Sequence, residues 1–218
     1  VVLGTDPLSH IVATAGIKTF EDEVDHVGGL RGEPVELVKC ETSDLLVPAH
    51  AEIIIEGELM PDQIAPDGPF GEYPGYRSGT MCAGVAVKVK AITYRSKPIV
   101  TMIALGTPPD DSSIAASLTA AVAMKKGLLR HGVPVTDVYV PPEGVTHLIV
   151  IGVTRGGVET ARKVLDYFTL RRVMTNKHII VDADVDVFNM AEVLHCFATR
   201  CQPGRGILYE WYEGRSNS

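Results

Sequence analysis

Long hydrophobic runs are scarce in this 218-residue sequence. The longest, Ile114 to Met124, is interrupted by Ser117 and Thr119 and falls well short of a membrane span. Cysteines in metal spacing are also missing. Cys40, Cys82, Cys196 and Cys201 form no CxxC pair, a pattern that favours reduced thiols in a cytoplasmic protein over zinc or disulfides. The histidines include no HxH or HExxH pair, which removes the ligand set of a zinc hydrolase. Positive charge is in deficit, with a net charge of −7. No basic stripe is present to neutralise phosphates, and Lys125, Lys126 and Arg130 read as a solvated helix face, so nucleic acid is not expected as a partner. The opening VVLGTDPLSH lacks the basic start and cleavage pattern of a signal peptide and reads as a strand beginning abruptly.

What is present divides the chain into two textures. Up to about residue 95, VELVKC, AEIIIEGEL and GVAVKVKAITY are rich in β-branched residues separated by Gly/Pro clusters, and predict strands. Alternation in the last places Lys88 and Lys90 on one face and Val87, Val89 and Ala91 on the other, as in a half-buried antiparallel strand. Beyond Tyr94 to Lys97 the pattern changes. KPIVTMIAL reads as an apolar strand, followed by an Ala/Leu-rich helix ending at Gly132. Strands VTDVYV, THLIVIGV and HIIVDADVDV then alternate with helices VETARKVLDYFTL and NMAEVLHCFATR, predicting an α/β layer with largely parallel pairing.

Two carboxylates, Asp67 and Glu72, flank the Gly-Pro-Phe-Gly segment of APDGPFGEYPGYRSG. Held close together, two acids split their pKa values, leaving one as a proton donor beside an ionised neighbour. The residues alone leave two readings open: a solvated turn carrying incidental acids, or a rigid bracket aiming both into one pocket. Glu21, Asp22, Glu23 and Asp25 precede GGLRG, which lacks the GK[ST] ending of a phosphate loop. These acids are either a hard-cation site or a plain acidic loop. VDADVDV is read as a strand terminus with exposed acids, and Arg200 as a cation at a helix carbonyl end.

In order and spacing, GGLRGEPVELVKC, VPAHAEIIIEGEL, DGPFGEYPGY, ITYRSKPIV and VDADVDVFN through ATRCQPG resemble the UbiD family of prenylated-FMN-dependent decarboxylases. The resemblance runs from residue 1 to about residue 207 and implies a flavoprotein lyase of α+β class. The fold it implies is a flavin-reductase-like split β-barrel portion over 1–95, an α/β layered oligomerisation domain over 96–207 and a polar tail over 208–218. The implied reaction is reversible, non-oxidative decarboxylation of an aromatic or α,β-unsaturated carboxylic acid, with CO2 as co-product. The implied cofactor is FMN extended by a prenyl-derived ring, which takes up the electrons left behind by CO2.

By the same resemblance, Glu72 is the proton-donating glutamate. Asp67 stands where the family usually carries a glutamate, so its reach is one methylene shorter. Glu23 matches the family's ligand for manganese or magnesium beside the cofactor phosphate, and Arg200 an arginine close to that ion. Potassium is expected on backbone carbonyls near Ala13, Thr14 and Gly16, while Tyr73 and Ala115 match positions facing the substrate. By the resemblance, the family's substrate-orienting arginine and the asparagine and histidine that share the metal lie upstream of residue 1, and its C-terminal helical tail is missing after about Arg205. The chain is therefore expected to be a fragment, or to be completed by another polypeptide, and not to turn over alone. The intact protein is expected to be a homodimer or higher oligomer. The alternatives are a non-catalytic oligomerisation or flavin-binding module, and a plain flavin-reductase-like binder.

Overall fold

The computed structural model describes residues 1–15, 17, 20–77, 82–171 and 175–209, with only the backbone of residue 82. It is a mixed α+β structure with open sheets that divides into two units, Val1–Ser112 and Ser113–Ser218. The division falls further along the chain than the change of texture at Tyr94 to Lys97.

In the first unit, β1 (Val2–Leu3) lies beside β4 (Ile53–Asp67), which forms a long antiparallel hairpin with β5 (Cys82–Tyr94). A separate antiparallel ribbon joins β2 (Leu37–Lys39) to β3 (Leu46–Pro48). No closed barrel is formed among the described residues. The antiparallel pairing of β5 agrees with its alternation, but Val87 and Val89 remain about half exposed, at 47% and 50%. This small sheet has no second layer to cover that face among the described residues.

Two helices precede the ribbon. Asp6 opens α1 (Pro7–Ala13) by accepting bonds from the amides of Leu8 and Ser9, the usual satisfaction of orphan donors at a helix start. Asp22 opens α2 (Glu23–Arg31) by accepting from Val24, and Gly32 closes it in the left-handed region. The GGLRG stretch thus forms the second half of this helix and its C-cap. Arg31 reaches back to Asp6 at 2.7 Å and ties the two helices together.

Glu56 on β4 is a buried carboxylate inside this unit. It accepts from the amides of Glu41 and Thr42 at 2.8 and 2.7 Å and from the Thr42 hydroxyl, fixing the bend before β3. The Thr42 hydroxyl bond leads the interactions that lower its pKa, outweighing the upward push of desolvation.

The KPIVTMIAL segment is not a strand, contrary to its apolar composition. Residues 97–105 carry no regular structure, and Ile99 and Met102 are about four-fifths exposed. Its anchor is a side chain instead: the Glu52 carboxylate accepts from the Ile99 amide at 3.0 Å. A strand needs a neighbouring backbone, and the described residues supply none here.

The second unit carries the principal apolar core. Helix α3 (Asp111–Arg130) begins two residues before the division and is followed by β6 (Val135–Tyr139), β7 (Leu148–Val153), α4 (Val158–Arg171), β8 (Lys177–Asp182) and α5 (Met190–Arg200). Sheet order is β6-β7-β8, with β7 central. Ile149, Ile151 and Val153 of β7 pack with Leu128, Val164, Tyr167 and Phe168 from α3 and α4. On the opposite face Val150 packs with Val181, Val193 and Cys196 from β8 and α5. Both faces of β7 are covered, which is why its sequence is continuously apolar. The β7–β8 pair is parallel as expected, whereas β6–β7 is antiparallel. The short connection between β6 and β7 holds only a single 3-10 turn, Pro142–Gly144, too little for a parallel crossover.

His178 on β8 is stacked on Phe168 at 4.2 Å and donates through Nε2 to the Thr175 carbonyl at 3.3 Å. Burial lowers its pKa, against a smaller upward pull from that hydrogen bond. The folded state therefore binds fewer protons than the unfolded state as pH falls through about 6.5, the ordinary histidine value. The stability of this unit should fall over that window. His178→Phe, which preserves the stack, is expected to flatten that part of a plot of melting temperature against pH. An unchanged slope in the variant would contradict this.

Candidate active site

The stretch around Glu72 is built as a tight hairpin. β4 ends at Asp67, which pairs in register with Cys82, and Gly71 bridges to Arg77. Between them the Glu72 amide donates to the Tyr76 carbonyl at 2.8 Å, and the Gly75 amide to the Glu72 carbonyl at 2.9 Å. Gly75 has φ +85°, the left-handed conformation that closes the turn at little cost only for glycine. Glu72 and Tyr73 are half-buried, while Asp67 is exposed. Burial, with the nearby charge of Glu72, raises the Tyr73 pKa, so its phenol stays a neutral donor. Both acids thus stand on hydrogen-bonded backbone rather than on a loose loop.

Glu23 is the first residue of α2, exposed, at the positive end of the helix dipole. Ala13 is the last residue of α1 and Thr14 its C-cap, with the Thr14 hydroxyl donating to the Ile11 carbonyl at 2.9 Å. Gly16 lies outside the described residues. Among the described residues no group of three or more His, Cys, Asp or Glu side chains is gathered for a metal. The dense acids near Glu23 have partners of their own: Asp22 caps the helix and Glu21 meets His26 at 3.1 Å.

Two of the candidates belong to the second unit. Ala115 is half-buried in the first turns of α3. Arg200 ends α5 and pairs with Asp184 at 2.9 Å, a bond that leads the causes raising its pKa. The aspartates of VDADVDV therefore have separate tasks. Asp182 accepts from the Gly156 amide, Asp184 from Arg200, and Asp186 from the Phe188 amide. These are loop-fixing bonds and not a shared cation site.

A cavity of about 220 Å³ lies between the β2–β3 ribbon and β4–β5. Cys40, Glu56 and Arg95 are among its lining residues, and none of the candidates above is. Sequence reasoning passed over Glu56, although the period of two places it on the same face of β4 as the buried Ile54.

Two family models account for nearly the whole chain. The 3-octaprenyl-4-hydroxybenzoate carboxy-lyase Rift-related domain matches residues 1–108, and the C-terminal domain of the same lyase matches residues 113–212. The chain belongs to the UbiD family. The boundary between the two UbiD models coincides with the division at Ser112. Among solved structures, an evolved dimeric form of the UbiD-class enzyme HmfF from Pelotomaculum thermopropionicum, in complex with prFMN, is 30% identical with a TM-score of 0.81. That match covers 94% of this chain and 47% of HmfF. The closed form of the vanillic acid decarboxylase of Sedimentibacter hydroxybenzoicus is 30% identical over 93% of this chain and 43% of that one, with a TM-score of 0.82. The apo 3,4-dihydroxybenzoic acid decarboxylase AroY of Klebsiella pneumoniae is 26% identical over 93% and 44%, with a TM-score of 0.76. The chain thus spans about half the length of these UbiD relatives.

Proposed function

We propose that the protein to which this chain belongs is a carboxy-lyase that removes CO2, reversibly and without oxidation, from an aromatic or α,β-unsaturated carboxylic acid. The observation that carries this reading is the half-buried Glu72, on a hydrogen-bonded hairpin within a chain matched by UbiD models over residues 1–108 and 113–212. The relatives' decarboxylation of vanillic and 3,4-dihydroxybenzoic acids supports an aromatic substrate class. Completion of the split barrel, and assembly as a homo-oligomer, belong to the same proposal.

Prenylated FMN, when bound, would supply the electron sink for the carbon that loses CO2. This chain would contribute part of the donor set for such a group. Glu23 would offer a hard carboxylate oxygen to manganese or magnesium, while the positive N-terminus of α2 that carries it would favour the phosphate beside the ion. The carbonyls of Ala13, Thr14 and Gly16 would take potassium, and Arg200 would offer its positive charge to the cofactor's phosphate. Glu72, in its acid form, delivers a proton to the carbon vacated by CO2. Tyr73, neutral and half-buried beside it, walls the substrate. Asp67, at the end of β4, is the second carboxylate of the proposed site.

The test is the bound cofactor itself. Full-length protein, co-produced with a prenylated-FMN synthase and denatured, should release a species of prenylated-FMN mass with its characteristic absorption. Release of plain FMN alone, or of no flavin, would contradict the reading.

A further inference from the structure

The segment after β5 runs without regular structure from Lys97 to Pro109, yet it forms the seat of the Glu72 hairpin. A Cβ placed on Gly75 would lie 2.7 Å from Pro108 Cδ, 3.3 Å from Thr107 Cα and 3.4 Å from the Gly106 carbonyl oxygen. The turn that presents Glu72 is therefore pressed against Gly106–Pro108 with no room for a side chain between them. What shapes that seat is a carboxylate. Asp110 Oδ2 accepts from the Gly106 amide at 2.7 Å, closing the loop Gly106–Asp110 by a short charge-assisted bond. The turn's own bonds, Gly75 amide to Glu72 carbonyl and Glu72 amide to Tyr76 carbonyl, carry that constraint onward to the Glu72 backbone. All of these groups lie within the first unit.

We propose that Asp110 is a positioning residue for Glu72, acting through the Gly106–Pro108 seat and Gly75. The inference rests on the reading of Glu72 as the proton donor. Asp110 touches neither substrate nor cofactor in this scheme. Its task is to keep the hairpin where its acid meets the reacting carbon, and a misplacement of about 1 Å is enough to cost ~10²-fold in rate.

The experiment compares Asp110→Ala, Asp110→Asn and Gly75→Ala in the full-length protein. Asparagine keeps an oxygen acceptor for the Gly106 amide and should restore what alanine removes. Amide hydrogen exchange over residues 71–77 should rise in Asp110→Ala and Gly75→Ala and stay at the wild-type level in Asp110→Asn, with global melting unchanged in the aspartate variants. With an acid that the wild-type enzyme decarboxylates, chosen from a panel including vanillic and 3,4-dihydroxybenzoic acids, Asp110→Ala should lower kcat by ~10–10²-fold at unchanged KM. Unaltered exchange in both Asp110→Ala and Gly75→Ala would overturn the inference. Faster exchange with full turnover would overturn it as well, by detaching the seat from the chemistry. Glu72→Gln serves as the control: full activity in that variant would instead sink the underlying reading of Glu72, whatever the hairpin does.

Discussion

Glu72→Gln is expected to abolish formation of protonated product by the full-length, cofactor-loaded enzyme while leaving its fold intact. Glutamine matches glutamate in size and can occupy the same half-buried place on the hairpin, whose bonds are made by backbone atoms. It has no acidic proton to give. General acid catalysis by a placed side chain is worth ~10²–10⁴-fold, and a loss of that order in kcat, with little change in substrate binding, is the expected result. Glu72→Asp retains the acid but withdraws it by one methylene, and should fall between the two. The comparison is instructive because Asp67 has this shortened form already, and it sits exposed at a strand end. Steady-state kinetics on the three proteins, with circular dichroism as the fold control, makes the measurement.

The second large effect concerns stability. Gly127→Ala lies inside α3, where alanine ordinarily improves a helix by about 1 kcal/mol over glycine. Here the sign should reverse. A Cβ on Gly127 would stand 2.0 Å from the Tyr167 hydroxyl oxygen and 2.7 Å from its Cζ. Tyr167 has little freedom to yield: it is 6% exposed, meets Phe168 edge-on at 4.9 Å and carries the Arg171 guanidinium 3.9 Å above its ring. Overpacking of this kind costs roughly 1–3 kcal/mol, more than the helix gains. Urea denaturation should show a lower midpoint for Gly127→Ala than for wild type. Tyr167→Phe in the same background should recover part of the loss, since the closest clash is with the hydroxyl. A stabilised Gly127→Ala protein would contradict this packing.

The second unit was the more legible in sequence, and for a physical reason. Its helices and central strand bury complete faces against one another, so LIVIGV is apolar throughout and α4 and α5 carry helical periodicity. The first unit leaves apolar residues such as Leu59, Ile64 and Val85 exposed, so its composition is a weaker guide to its contacts. Helix α2 was missed because its two glycines obscure its period, although Asp22 followed by Glu23 and Asp25 is an ordinary N-terminal signature. KPIVTMIAL was misread because its anchor, Glu52, lies 47 positions earlier, beyond any local pattern. The antiparallel β6–β7 pair was open to inference from the shortness of its connection, and the alternation of strands and helices overrode that cue.

The candidate site was legible in a different sense. Its residues could be named only through family resemblance, since Asp67, Glu72 and Glu23 by themselves fit a solvated turn and an acidic loop better than a site. The backbone bonds of the hairpin, and the seat against Gly106–Pro108, have no local sequence signature at all. They emerge from one segment folding back on another that is distant in the chain.

The proton that Glu72 is proposed to deliver can be followed directly. Decarboxylation in D2O of an acid accepted by the wild-type enzyme should give product bearing one deuterium at the carbon that carried the carboxylate. Wild type should also exchange that position in added unlabelled product, and Glu72→Gln should do neither. Deuterium entering the product at the wild-type rate in Glu72→Gln would show that the proton comes from elsewhere.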